Sequence, residues 1–160
     1  MTIRIGDPIP NITLKKITPD GFQDVNMHAL CEGKTVVLFA VPGAFTPTCT
    51  TVHLPGFSNK MDEFKAKGVE VMCLSVNDPF VMTAWGQATK SHPDILLLAD
   101  WNAEFTKAAG FDFDGSAAGL GLRSKRYSMI VKDGIVMVLN VENSPGECDT
   151  STADQLLKIL

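Results

Sequence analysis

The sequence predicts an α/β fold with a mixed central sheet, helices on both faces and an N-terminal β-hairpin. Three observations carry that expectation. A continuous apolar, β-branched run at 36–41 and two further buried-strand stretches at 69–76 and 95–99 alternate with helical stretches, as do strands buried on both faces of a largely parallel sheet. Lys132-Asp133-Gly134 separates two further apolar runs and is the strongest short-range hairpin signal in the chain. Near the start, Thr18-Pro19-Asp20-Gly21 puts Pro and Gly where a β-turn wants them.

The first hairpin joins 12–17 to 22–25. The run 36–41 stops at Pro42-Gly43, and a helical stretch over about 46–67 follows, ended by Gly68 at a position suited to a left-handed cap. Pro55-Gly56 inside it should kink or split that helix. Asp78-Pro79 combines an N-cap with proline at the first helical position and opens a helix to about Lys90. After 95–99 comes a short helix that Gly110 ends. Runs 127–131 and 135–141 form the second hairpin, and Ser151, with Asp154 three residues on, is a capping-box variant opening a helix over 152–160. Residues 111–125 read as an irregular, Gly- and Ala-rich loop, and a loop that long is more often functional than idle. The order hairpin, β, α, β, α, β, α, loop, β-hairpin, α is that of a thioredoxin-like arrangement with an extra strand and helix in the middle.

With 160 residues the chain is expected to form a single domain over 1–160. At 45% hydrophobic and 20% charged residues it is no disordered or low-complexity chain. A formal charge of −4 with Lys and Arg scattered leaves no footprint for nucleic acid or for an anionic membrane surface. The longest apolar stretch, 36–42, falls far short of the roughly 20 residues of a spanning helix. MTIRIGDPIP has neither a basic nor an apolar signal region, so a reducing, cytoplasmic setting is expected. No pair among Cys31, Cys49, Cys73 and Cys148 has C-x-x-C spacing, and none lies near a histidine at zinc-ligand spacing. Each cysteine is therefore either inert core or chemistry.

Cys49 is singled out by its place. It follows a buried strand by one turn and lies near a helix start, in Pro42-Gly43-Ala44-Phe45-Thr46-Pro47-Thr48-Cys49. Unpaired N–H groups and the positive end of the helix dipole favour thiolate over thiol there. Thr46 lies about one turn back and can offer its hydroxyl to the sulfur or to a bound oxygen. Pro42 and Pro47 stiffen the loop, and Pro42 could wall the sulfur off from water.

The run Pro42-x-x-x-Thr46-x-x-Cys49 resembles the active-site signature of the peroxiredoxins. The longer string PGAFTPTCTTVHLPGF is similar to the subfamily called type five in animals and type two in plants, and matching blocks continue in SVNDPFVMTAW and RSKRYSMIVKDG. The resemblance spans essentially the whole chain. It implies a thioredoxin-like fold and reduction of hydrogen peroxide and alkyl hydroperoxides by a peroxidatic cysteine that maps onto Cys49, with no haem, metal or other cofactor. By the same matching Pro42 shields the site, Thr46 holds the peroxide and Arg126 is the active-site arginine. Arg123 reads as a solvated loop charge. A homodimer packed near the active-site loops is implied, with Phe45 and Phe80 as candidate contacts.

The thiol that resolves the sulfenic acid is left open between three candidates. Cys148 lies in a polar loop where one branch of the family carries its resolving cysteine, but two residues before the matching position, Thr150. Cys73 matches a cysteine of the plant branch, yet sits mid-strand and reads as a buried, inert thiol. The third is an external thiol, glutathione with glutaredoxin or thioredoxin, which is favoured. Cys31 is assigned no role. His53, four residues after Cys49, could tune the thiolate, but a structural hydrogen bond is the preferred reading. His28 and His92 are expected at the surface, while Phe80, Trp85, Trp101, Phe105 and Phe111 read as core or interface aromatics. Glycines 115, 119 and 121 do not lead a strand into a helix, so a phosphate loop is disfavoured. Two other functions remain: a thioredoxin-type thiol–disulfide oxidoreductase, weakened because Thr46 stands where C-x-x-C needs its first cysteine, and a non-catalytic chaperone or redox-relay protein.

Overall fold

A computed structural model describes residues 2–160. β1 (Thr13–Thr18) and β2 (Gly21–Asn26) form the first hairpin, and Asn26 caps the short α1 (Met27–Cys31) by accepting from the Ala29 N–H. The single turn of α1 is too short to show a period in the sequence. β3 (Thr35–Ala40) leads through a loop into a helical segment whose first part, Cys49–His53, is π-helical and whose second is α2 (Leu54–Ser58). After a break at Asn59-Lys60 comes α3 (Met61–Ala66). The expected split at Pro55 is thus displaced. Pro55 has no N–H for the carbonyl four residues back, and the wide turn just upstream, in which the Leu54 N–H reaches the Cys49 carbonyl, absorbs that defect without ending the helix.

β4 (Val69–Ser75), α4 (Pro79–Thr89), β5 (Ile95–Ala99) and α5 (Glu104–Ala109) follow as read, with Asp78 accepting from the Val81 N–H and Gly110 closing α5 at φ 80°. The stretch 111–125 is not irregular. It holds a small ribbon of β6 (Asp112–Asp114) and β7 (Leu122–Ser124) around a 3₁₀ turn at Ser116–Ala118. Gly115 closes that ribbon through its N–H to the Gly121 carbonyl at 2.6 Å, and a Cβ on it would stand 3.0 Å from that oxygen. β8 (Tyr127–Lys132) and β9 (Ile135–Val141) turn on Asp133 and Gly134, both at positive φ as a type I′ turn requires. The last helix, α6 (Ala153–Leu157), is capped by Thr152 rather than Ser151, because the Ser151 hydroxyl is drawn 2.6 Å from Glu142 Oε2.

The main sheet runs β2-β1-β5-β4-β3-β8-β9, with β3, β4 and β5 parallel and β8 antiparallel to β3. β3 has no polar side chain between Val36 and Ala40 because it buries both faces. Val36, Leu38 and Ala40 pack with Met27 of α1 and Phe105 of α5. Val37 and Phe39 pack with Phe57, Phe64, Trp85 and Leu156 from α2, α3, α4 and α6. Helices therefore cover both faces. In register, Ala40 lies opposite Tyr127, and Tyr127 opposite Val141. That pairing brings the segment after β3, the residue before β8 and the loop after β9 to one edge of the sheet, the carboxyl end of its parallel strands, where α/β folds place ligands.

Candidate active site

The helix carrying Cys49 makes its first backbone hydrogen bond from Thr50 N–H to the Thr46 carbonyl, so Pro47 is at its first position and Cys49 in its first turn. Cys49 has 0% exposure and belongs to the core cluster that also holds Phe39, Phe57 and Cys73. Arg126, one residue before β8, meets it: Nη2 lies 3.2 Å from Cys49 Sγ. The guanidinium is only 2% exposed. It donates from Nη2 and Nε to the Pro145 carbonyl at 2.9 and 3.3 Å and from Nη1 to His53 Nδ1 at 3.0 Å. Among the described residues no carboxylate lies within 4.0 Å of it.

Thr46 is half-buried, and its hydroxyl donates to the Gly43 carbonyl at 2.6 Å rather than to the sulfur. Its oxygen lone pairs remain free to accept from a bound molecule. Pro42 is buried at the start of this loop. Arg123 is not the solvated charge expected from sequence. It donates to the carbonyls of Leu120 at 2.9 Å and Pro42 at 3.4 Å, and Nη1 stands 2.9 Å from where a Cβ on Gly43 would lie. The β6–β7 ribbon turns it back onto the active-site loop, and no local pattern in RSKRYSM announces that.

All four cysteines are free thiols. Cys73 is fully buried in β4, where burial pushes its thiol well up. Cys31, at the end of α1, is pushed to about 11 by the same cause. Cys148 is half-buried in an otherwise exposed loop, its thiol also raised by burial. That loop is tied down at several points: Thr48 Oγ1 donates to the Gly146 carbonyl at 3.2 Å, and Glu142 Oε2 accepts from the N–H groups of Asp149 and Ser151 at 2.9 and 2.8 Å. His28 is exposed as read, whereas His92 is half-buried, its backbone N–H on Ser58 Oγ at 3.1 Å. Trp85, Phe105 and Phe111 are core, and Phe80 and Trp101 are exposed.

His53, for which a structural hydrogen bond is the preferred reading, makes one at each ring nitrogen. It is buried, with Arg126 on one side and the Ser151 carbonyl, at 3.0 Å, on the other. The i, i+4 spacing from Cys49 was its one visible sign. Burial, reinforced by Arg126, lowers it from 6.5 to about 3, so the folded protein holds it neutral. The unfolded chain then binds a proton below pH 6.5 that the folded one refuses, and stability present above that pH is lost as pH falls toward 3. Between pH 7 and pH 5 this is expected to remove about 2 kcal/mol. Urea unfolding at the two pH values checks it, and a His53→Asn variant should lose much of the difference.

The Redoxin family model matches residues 4–157. Peroxiredoxin-2B of Arabidopsis thaliana is 46% identical over 160 residues, covering 99% of this chain and 98% of that one. This chain belongs to the peroxiredoxin family. Among peroxiredoxins of known structure, the reduced Prx3 of Vibrio vulnificus in complex with H2O2 is 48% identical, covers 99% of each chain and superposes with a TM-score of 0.93. Peroxiredoxin-2E-2 of Oryza sativa, a chloroplastic protein, is 48% identical over 165 residues, with 99% of this chain and 73% of that one covered. The fold, the mixed sheet and the N-terminal hairpin are those of the peroxiredoxins. The protein is a thiol-dependent peroxidase, an oxidoreductase that takes peroxides as substrates and a thiol as reductant.

Proposed function

We propose that Cys49 is the nucleophile of this peroxidase, with Arg126 and Thr46 holding the peroxide and Pro42 shielding the sulfur. The observation that carries this reading is the buried Arg126 guanidinium, directed at Cys49 Sγ from 3.2 Å with no carboxylate at hand. A buried cation without a counter-charge is costly, and the thiolate form of Cys49 supplies one.

The thiolate attacks one peroxide oxygen. An S–O bond forms, the O–O bond breaks, and the electron pair leaves with the far oxygen, which takes up a proton and departs as water or an alcohol. Sulfur is oxidised to the sulfenic acid and the peroxide is reduced. Arg126 follows the negative charge from sulfur to the leaving oxygen. Thr46, whose proton is committed to Gly43, accepts from the hydroxyl of the incoming peroxide. Cys49 has no exposed surface, so the peroxide reaches the sulfur only as a neighbouring segment moves aside. Treating reduced protein with one equivalent of hydrogen peroxide and a sulfenic-acid trap tests the assignment by mass spectrometry. The trap is expected on Cys49; its appearance on another cysteine with Cys49 unmodified would overturn it.

Recycling falls to an external thiol, glutathione with glutaredoxin or thioredoxin. The thiol attacks the sulfenic sulfur, water leaves, and a second thiol reduces the mixed disulfide. Burial of Cys73 favours this route over an internal one, and Cys148 is the remaining internal candidate. Cys148→Ser is expected to keep turnover with glutaredoxin and glutathione. Loss of turnover with every external donor would make Cys148 the resolving thiol instead.

The protein acts as a homodimer through the face that carries Phe45 and Phe80, 54% and 64% exposed. Their loops lie side by side, the Ala44 N–H donating to Asn77 Oδ1 at 3.0 Å, and Phe22 meets Phe80 edge-on at 5.4 Å. Phe45 is held at φ 66°, a strained conformation for a bulky residue that keeps its ring outward. Light scattering is expected to give a dimer for the native chain and a monomer for Phe80→Asp. A native chain that stays monomeric at all concentrations contradicts it.

A further inference from the structure

His53 belongs to no step of the chemistry above, yet it is among the most completely enclosed polar groups in the molecule. Its ring is 1% exposed, with Phe39 and Phe57 at centroid distances of 4.9 and 5.6 Å. A guanidinium nitrogen can only donate and a carbonyl oxygen can only accept. Nδ1, facing Arg126 Nη1, must therefore be the bare nitrogen, and Nε2, facing the Ser151 carbonyl, must carry the hydrogen. One neutral tautomer satisfies both contacts.

The Ser151 carbonyl that fixes this tautomer is itself fixed. Glu142 Oε2 gathers the Ser151 N–H at 2.8 Å, the Ser151 hydroxyl at 2.6 Å and the Asp149 N–H at 2.9 Å. Glu142 is anchored to the sheet by its own N–H, which donates to the Arg126 carbonyl at 3.0 Å. The contacts close a circuit from the Arg126 backbone through Glu142, Ser151 and His53 back to the Arg126 side chain.

We propose that His53 is a positioning residue for the reaction at Cys49: its Nδ1 lone pair holds Arg126 Nη1 and thereby sets the direction in which Nη2 faces the sulfur. The inference rests on the roles given above to Cys49 and Arg126 and adds the group that aims one at the other. Without it the guanidinium keeps, apart from its contact with the sulfur itself, only the Pro145 carbonyl, a single pivot on an exposed loop. A second fixed point turns that pivot into a direction. Burial and the neighbouring cation keep the ring neutral and so able to accept. Misplacement by about 1 Å of a group that follows transition-state charge can cost on the order of 100-fold in rate.

The test is the second-order rate constant for oxidation of Cys49 by hydrogen peroxide, read by stopped flow on reduced, full-length variants. His53→Leu is expected to be about 10- to 100-fold slower than the native protein. His53→Asn carries its carbonyl oxygen on Cγ, where the ring carries Nδ1, and is expected to recover most of the rate, a rescue that a merely structural role does not give. In the Arg126→Gln background His53→Leu should add nothing further, because both act through the same guanidinium. The proposal is overturned by a native rate in His53→Leu, by His53→Asn as slow as His53→Leu, or by effects of His53→Leu and Arg126→Gln that multiply. Should the leucine variant not fold, His53→Gln replaces it: its amide lies one bond further out, meets Ser151 rather than Arg126, and must be slower than His53→Asn. A native rate in Arg126→Gln itself would remove the Arg126 role, and that of His53 with it. A slow Arg126→Gln beside a fast His53→Leu removes only the latter.

Discussion

Replacing Arg126 by Gln is expected to slow oxidation of Cys49 by hydrogen peroxide about 100- to 1,000-fold, the loss of roughly 2.7–4 kcal/mol seen when one charge-stabilising donor is removed from a closed site. The magnitude follows from the surroundings. Arg126 is almost wholly buried, its Nη2 is 3.2 Å from the sulfur, and the other side chain it meets is the neutral His53. Glutamine can still donate to the Pro145 carbonyl, so the loop over the site has reason to stay in place while the charge disappears. The rate constant under single-turnover conditions checks the prediction. A variant within threefold of the native rate would mean that the guanidinium holds the loop and does no more.

Replacing Cys49 by Ala is expected to abolish peroxide consumption and, less obviously, to destabilise the protein. On the proposed pairing of the Cys49 sulfur with Arg126, removing the sulfur leaves the buried guanidinium charged and unpartnered, at a cost of about 3 kcal/mol or more. Urea unfolding at pH 7 measures it. In the Arg126→Gln background the same alanine substitution should cost only about 1 kcal/mol, since a small cavity is all that remains. An alanine variant as stable as the native protein would show that the sulfur is not the counter-charge of Arg126.

Much of this architecture was legible in the sequence because its signals are local. The apolar-rich strands β3, β4 and β5 and the Asp133-Gly134 turn each fix a short stretch of backbone by its own chemistry. Asp78-Pro79 opened α4 as read, for the same reason. What was missed depended on tertiary contact. The β6–β7 ribbon has strands of three residues, too short for any alternation to show. The π-turn at Cys49–His53 is a response to Pro55 that could as well have been a break. Ser151 looked like a helix cap until Glu142 claimed its hydroxyl from nine residues away.

At the site the same division holds. Pro42, Thr46 and Cys49 fall in one short segment and could be read together. Arg126 was reachable only by matching a motif, although the antiparallel pairing of β8 with β3 is what delivers it to the sulfur. His53 carried a helical spacing from Cys49, but nothing in sequence shows that a guanidinium stands against its Nδ1. Arg123 differed for an equivalent reason: its partners are backbone carbonyls of Leu120 and Pro42, which no residue pattern records.

The most direct measurement is a stopped-flow mixing of fully reduced protein with stoichiometric hydrogen peroxide at pH 7. The fluorescence of Trp85 can follow it, since the indole N–H donates to Thr50 Oγ1, next to Cys49, at 3.0 Å. A rate orders of magnitude above that of a small free thiol, with the sulfenic acid confined to Cys49, is expected. A rate no greater than that of free cysteine at the same pH would contradict a sulfur activated by Arg126.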